Sequence, residues 1–224
     1  GINLNAFNFV EIANDMAMVL TALNCQKFCI YGTSAGTIVA QHVLRAYPDR
    51  VSSVVIDSSV PLGRKTLQAE NPSNGTRALH LLFEACKKDP ACSHNYPDLE
   101  ANFDGVIARL DENPVTVSTE DPRTGEELKI VFNGDRLAEA LFMAVAQTPM
   151  IPTLPGFIHS LIQEDYSVLE TIPWAAMPPL DFAHGLGFSA MCAEFNTLTQ
   201  EEIVFEGRFP NFEASLANMS WGPK

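Results

Sequence analysis

The sequence has little positive charge and no long apolar run. Lysine and arginine together number 14 against 27 aspartates and glutamates, which gives a formal net charge of −13. Nucleic acids and anionic membrane surfaces bind basic patches, so this balance argues against both as partners. Proline, glycine or charged residues interrupt the apolar stretches, so no membrane-spanning segment is predicted. The charge remains compatible with neutral or cationic substrates.

Metal-binding patterns are also missing. The five cysteines do not have the spacing of a zinc site, and no histidines stand near enough to complete one, so no metal is expected. Cys86 and Cys92 bracket the short segment Lys-Lys-Asp-Pro-Ala, and this spacing is compatible with a small disulfide loop. Two separate buried thiols are the alternative. A disulfide would indicate an oxidising compartment.

The hydrophobic residues that are present, 46% of the chain, are enough for a sizeable core. Up to Pro61 they alternate between helical spacing and short β-branched runs, which predicts a helix, a strand, a helix and a strand over residues 7–23, 27–31, 35–47 and 51–59. This alternation is typical of a parallel sheet with crossover helices. The fold class predicted is therefore α/β, with a partial parallel sheet in residues 1–61.

The pattern changes after Pro61, where helical spacing predominates. Helices are predicted over residues 77–88, 99–110, 135–146 and 154–164, with a hairpin formed by residues 115–119 and 127–132. A proline-rich stretch, residues 172–179, leads to the glycine-rich residues 185–194. Residues 62–224 are therefore predicted to form a second, mostly helical unit.

The junction between the first strand and the second helix reads Gly32-Thr-Ser-Ala-Gly36. This is the Gly-x-Ser-x-Gly pattern of a nucleophile elbow, in which a sharp strand-to-helix turn exposes the serine hydroxyl and glycines let neighbouring backbone pass closely. The following helix directs its first N–H groups towards a developing oxyanion. Ser34 is the candidate nucleophile, and the backbone N–H of Ala35 is a candidate oxyanion donor.

Several separated stretches, in this order, make the chain resemble α/β-hydrolases of the tripeptidyl aminopeptidase (TAP-like) and prolyl aminopeptidase group. They are residues 31–37, 47–57, 83–92, 96–99, 113–117 and 189–194. Ala35 is a departure, since a tyrosine more often follows the nucleophile in that group.

The resemblance implies a serine exopeptidase without a cofactor, acting on a peptide or a small acyl substrate. Ser34 would form an acyl-enzyme, with a histidine as base and an aspartate orienting it. Residues 62–224 would be a cap domain, leading back towards the core, that restricts the site to free peptide N-termini. Glu194, in the Cys-Ala-Glu motif, would bind the substrate ammonium group. The alternative for Glu194 is a structural acid paired within the cap. A secreted or periplasmic location is favoured by the resemblance and by the Cys86/Cys92 pair.

The resemblance would place the catalytic aspartate and histidine late in the chain, after the cap. They are not found there, and no histidine follows His184. The chain is therefore expected to be an internal part of a longer enzyme and inactive by itself. A triad of Ser34, Asp57 and His184 is the alternative, and His42, His80, His94 and His159 are interpreted as surface or packing residues. An esterase or amidase on the same fold, or a non-catalytic chain, are the competing functions.

Overall fold

A computed structural model describes residues 3–63, 69–120, 125–171, 183–195 and 199–221. The chain divides into two compact units, each formed by two segments. The first unit comprises Gly1–Leu67 and Asp181–Leu198, and the second comprises Gln68–Leu180 and Thr199–Lys224.

The secondary structure is mostly helical, with two small sheets. The helices are α1 (Phe9–Ala22), α2 (Ala35–Ala46), α3 (Asn71–Lys88), α4 (Pro90–Asn95), α5 (Leu99–Glu112), α6 (Gly134–Val145), α7 (Leu154–Ile162), α8 (His184–Phe195) and α9 (Pro210–Trp221). The strands are β1 (Phe28–Thr33), β2 (Val51–Asp57), β3 (Val115–Glu120) and β4 (Glu127–Phe132). The predicted elements up to residue 162 are thus present, and α4, α8 and α9 are additional.

The first unit is built on a parallel pair of strands, β1 and β2, with Thr33 opposite Asp57. Phe28 and Ile30 of β1 are buried with Ala13 of α1 and Val43 of α2, so both helices cover one face of the pair. The opposite face is open among the described residues, and its Tyr31 is 67% exposed. β1 ends at Thr33 and α2 begins at Ala35, so the turn between them lies at the end of the covered strand pair.

Helix α8 packs within the first unit although in sequence it lies between the two segments of the second unit. Ala190 is buried against Phe9 of α1 and Ile38 of α2. The Ser189 hydroxyl donates a hydrogen bond to the Leu4 carbonyl oxygen at 2.8 Å. Glu194 therefore lies in the first unit.

The core of the second unit is formed by helices and by one face of the antiparallel β3–β4 hairpin. Aromatic rings meet edge to face at its centre, with the ring centroids of Phe103 and Phe209 5.2 Å apart. The start of α9 is held by Asp104, whose carboxylate accepts from the backbone N–H of Phe212 at 3.0 Å. A carboxylate at this position satisfies an N–H group that the helix itself leaves unpaired.

The unit boundaries differ from those predicted from the sequence. The first segment ends at Leu67 rather than at Pro61, and residues 181–198 group with the first unit rather than with 68–180. The interpretation of the helical unit as a cap stays a prediction. Within the described residues, the structure has no helix of the length and apolar character needed to cross a bilayer.

Candidate active site

Ser34 lies on the sharp turn between β1 and α2. Its backbone has φ 52° and ψ −122°, a strained combination for a residue with a Cβ atom. The Ser34 N–H donates to the Asp57 carbonyl oxygen at 3.0 Å, and the Ser34 carbonyl accepts from the Thr37 hydroxyl at 2.7 Å. Hydrogen bonds on both sides hold the strained conformation and leave the Ser34 side chain exposed.

The two glycines of the motif have different surroundings. A Cβ atom on Gly32 would lie 2.5 Å from the Gly36 carbonyl oxygen and 3.1 Å from the Thr37 nitrogen. A Cβ atom on Gly36 would meet no described atom within 4 Å. Of these two glycines, only Gly32 is required by close packing with described residues, whereas the sequence predicted this role for both.

Ala35 is the first residue of α2, directly after the nucleophile candidate. Among the described residues, no hydrogen-bond acceptor contacts its backbone N–H. The first N–H groups of a helix lack intrahelical partners and carry the positive end of the helix dipole. This N–H is therefore available to an anionic oxygen at the turn.

Asp57 ends β2 beside the turn and is exposed. Its carboxylate accepts a hydrogen bond from the Tyr31 hydroxyl at 2.9 Å and one from the Ser58 hydroxyl at 3.4 Å. Both partners are side chains of the same sheet end. The side chain of His184, the third member of the alternative triad, lies outside the described residues.

Among the described side chains, no histidine forms a hydrogen bond with the Ser34 hydroxyl. His80 contacts Glu100, with 2.8 Å between Nδ1 and Oε1, and the ring of His159 packs against Tyr96. Both lie in the second unit. The described residues therefore do not assign the base that the nucleophile would need.

Glu194, predicted to bind a substrate ammonium group, is paired with His42 of α2. The distance from His42 Nε2 to Glu194 Oε1 is 3.3 Å, and the two side chains are 15% and 21% exposed. The other carboxylate oxygen has no hydrogen-bond partner among the described residues. Sequence reasoning treated His42 as a surface or packing residue, and no local signal could have linked it to a residue 152 positions away.

Cys86 and Cys92 form a disulfide that joins the last turn of α3 to α4, with their Cα atoms 5.1 Å apart. The described part of the chain holds no group of three or more His, Cys, Asp or Glu side chains arranged for a metal ion.

Part of the chain matches the model of a known protein family. Residues 1–78, about a third of the chain, match the model of the alpha/beta hydrolase fold. No curated protein matches the chain. The matched segment contains β1, the Ser34 turn, α2 and β2, and it supports a hydrolase of the α/β-hydrolase fold.

Proposed function

We propose that the chain is a serine hydrolase in which Ser34 is the nucleophile. The observation that carries this proposal is the backbone of Ser34, with φ 52° and ψ −122° at a strand-to-helix turn. Strained backbone of this kind persists where the surrounding structure holds it, and it clusters at active sites. In a nucleophile elbow the strain exposes the hydroxyl to an incoming carbonyl group.

In the proposed reaction, the Ser34 oxygen attacks the substrate carbonyl carbon while a base accepts the hydroxyl proton. The carbonyl oxygen becomes an oxyanion, which the Ala35 N–H and the start of α2 stabilise. The leaving group departs with a proton from the same base, and water then hydrolyses the acyl-enzyme. The base and its orienting acid are not assigned to residues of this chain.

The substrate class we propose is a peptide with a free N-terminus, from which short peptides or single residues are released. Support comes from Glu194, whose partly exposed carboxylate bonds to His42 through one oxygen, while no other described residue bonds to the second oxygen. A substrate ammonium group would make a charge-assisted hydrogen bond with that oxygen. The net charge of −13 also favours cationic ligands over anionic ones.

An esterase or amidase is the second candidate, because the same turn can attack any accessible acyl group and a fold does not determine the substrate. A chain that is catalytically incomplete by itself is the third candidate, and the unassigned base is the observation that favours it.

Labelling with a fluorophosphonate tests the nucleophile. If the chain is active by itself, contrary to the expectation from its sequence, the nucleophile assignment predicts that the folded chain is labelled at Ser34 and that Ser34→Ala loses the label. Ser58→Ala is the matched control, since Ser58 is also exposed, has φ 54° and follows β2. Labelling that survives in Ser34→Ala would contradict the assignment. A folded chain that is not labelled would favour the catalytically incomplete alternative.

Substrate preference is tested with a tripeptidyl arylamide, its N-acetylated form and a simple acyl ester. The peptidase proposal predicts that acetylation lowers kcat/KM at least about tenfold, as expected for the loss of a charge-assisted bond. Glu194→Gln should remove this difference, while Glu11→Gln, an exposed change in the same unit, should keep it. Equal turnover of all three substrates would favour an esterase or amidase.

A further inference from the structure

The second unit contains an apolar cavity between α6 and α7. Its volume is about 250 Å³, and it is partly open to solvent. Residues from α6, α7 and the short turns on either side of α7 line it, chiefly Ala140, Leu141, Ala144, Met150, Leu154 and Phe157. All of these residues belong to the segment 68–180, so the cavity lies within one unit.

The chemistry of the walls disfavours water and charged ligands. Among the ten residues that line the cavity none is charged, and only Thr153 and Ser160 carry a polar side chain. The Thr153 hydroxyl already donates to the Met150 carbonyl oxygen at 2.8 Å. A buried water needs about two to four polar partners, and an ion needs a counter-charge, so neither is well held here.

The volume sets the size of a ligand that would fill the cavity. An engineered apolar cavity of about 150 Å³ stays dry and binds benzene, a ring of six carbons. In proportion, a cavity of about 250 Å³ accommodates about ten carbons. Two fused six-membered rings have this size.

We propose that this cavity is a binding site for a neutral apolar molecule of about ten carbons, held by burial rather than by hydrogen bonds. The proposal does not depend on the function proposed for Ser34, since none of the lining residues belongs to the first unit.

The test is calorimetric titration of the whole 224-residue chain with naphthalene. We expect saturable binding at one site with a negative change in heat capacity, the marker of apolar burial. Naphthalene-2-sulfonate is the matched ligand control. It should bind more weakly, because no lining residue offers its sulfonate a counter-charge and only orientations with the sulfonate at the solvent-open side remain. Folded chain that does not bind naphthalene overturns the proposal, including the case in which the chain's own residues fill the cavity.

Substitutions that fill the cavity from either wall should weaken the binding of a large ligand more than that of a small one. Ala144→Leu adds three carbons from α6, and Ser160→Leu adds bulk from α7. Each should weaken naphthalene binding at least about tenfold while benzene still saturates, which shows that the variant remains folded. Met143→Leu, a change at the neighbouring α6 position that is 47% exposed, should leave both affinities within about twofold. Naphthalene affinity unchanged in both filled variants, with the fold intact, overturns the assignment of the site.

Discussion

Gly32 and Gly36 flank Ser34 symmetrically in sequence, but only Gly32 lacks space for a side chain. We expect Gly32→Ala to destabilise the first unit by about 2–4 kcal/mol, since the added methyl group would collide with rigid backbone of α2. Gly36→Ala should be neutral or stabilising by up to about 1 kcal/mol, because alanine is the better helix residue. Urea unfolding of the two variants measures the difference, and equal costs would contradict the geometry.

The strained backbone that exposes the Ser34 hydroxyl should lower the free energy of unfolding of the first unit. Because a positive φ costs glycine little, Ser34→Gly is expected to stabilise the first unit by about 1 kcal/mol. Ser34→Ala keeps a Cβ atom, so it should keep the strain and give no such gain. Urea midpoints of the three proteins provide the measurement. A Ser34→Gly variant less stable than the wild type would show that the turn is not strained.

The candidate nucleophile could be predicted from sequence because every feature of the turn lies within a few consecutive residues. The glycine, the serine and the helix that follows are read directly from residues 32–36. The partner of Glu194 could not be predicted, because His42 lies on a different element and their pairing depends on how α8 packs. Contacts between distant segments leave no local pattern in a single sequence.

At the scale of elements, Glu213 connects α9 to two other parts of the second unit. Its fully buried carboxylate accepts from the Thr76 hydroxyl at 2.8 Å and from the N–H groups of Glu206 and Gly207, both at 3.0 Å. Glu213→Ala would leave three donors without this acceptor, and we expect a loss of about 3–5 kcal/mol. Thr76→Val should cost less, about 1–2 kcal/mol.

Thermal or urea unfolding of these two variants tests the network. Glu139→Ala, at an exposed position of α6, serves as the control and should stay within about 0.5 kcal/mol of the wild type. If Glu213→Ala were as mild as Glu139→Ala, the buried carboxylate would not be holding α9 in place.

The same carboxylate explains why α9 was not predicted. Its buried face carries Glu213 and Ser215 beside Phe212 and Leu216, so polar residues interrupt the apolar stripe that marks a helix. Helix α3 begins at Asn71, whereas the sequence predicted a start at residue 77. The prediction began too late because Asn-Pro-Ser-Asn-Gly, residues 71–75, is a composition typical of turns. There Gly75 is needed for packing, since a Cβ atom would lie 2.7 Å from Leu216.

The disulfide is a further element-scale feature, since it links α3 to α4 across a short loop. Chain-entropy arguments give about 2 kcal/mol for a loop of this length. We expect the double variant Cys86→Ser/Cys92→Ser to lose about this much stability, and more if the hydroxyl introduced at the buried position 86 finds no partner in the core. The wild type should show the same loss in a reducing buffer, whereas the double variant should not respond to reductant. Denaturation curves with and without dithiothreitol measure both.

At the scale of the whole molecule, one face and the outer edges of the β1–β2 pair are not covered by any described residue, and this exposure predicts self-association. Val55 of β2 is 55% exposed, and exposed strands with unpaired edges can pair with another chain. Val55→Lys should therefore reduce the concentration-dependent association measured by analytical ultracentrifugation. Val19→Lys is the matched control, since Val19 is 58% exposed on α1 and makes no strand edge. A wild-type chain that remains monomeric at high concentration would contradict this prediction.

Because α8 packs in the first unit but follows residues 68–180 in sequence, the first unit is completed late during synthesis. Phe9 and Ile38, which Ala190 covers, emerge from the ribosome long before residue 190 exists. The stretch from Leu67 to Asp181 takes roughly 6–23 s to translate at about 5–20 residues per second. For that interval the nascent first unit presents an uncovered apolar patch while the second unit is being made. Apolar surface that stays exposed during synthesis makes a nascent chain prone to aggregation until the covering segment arrives.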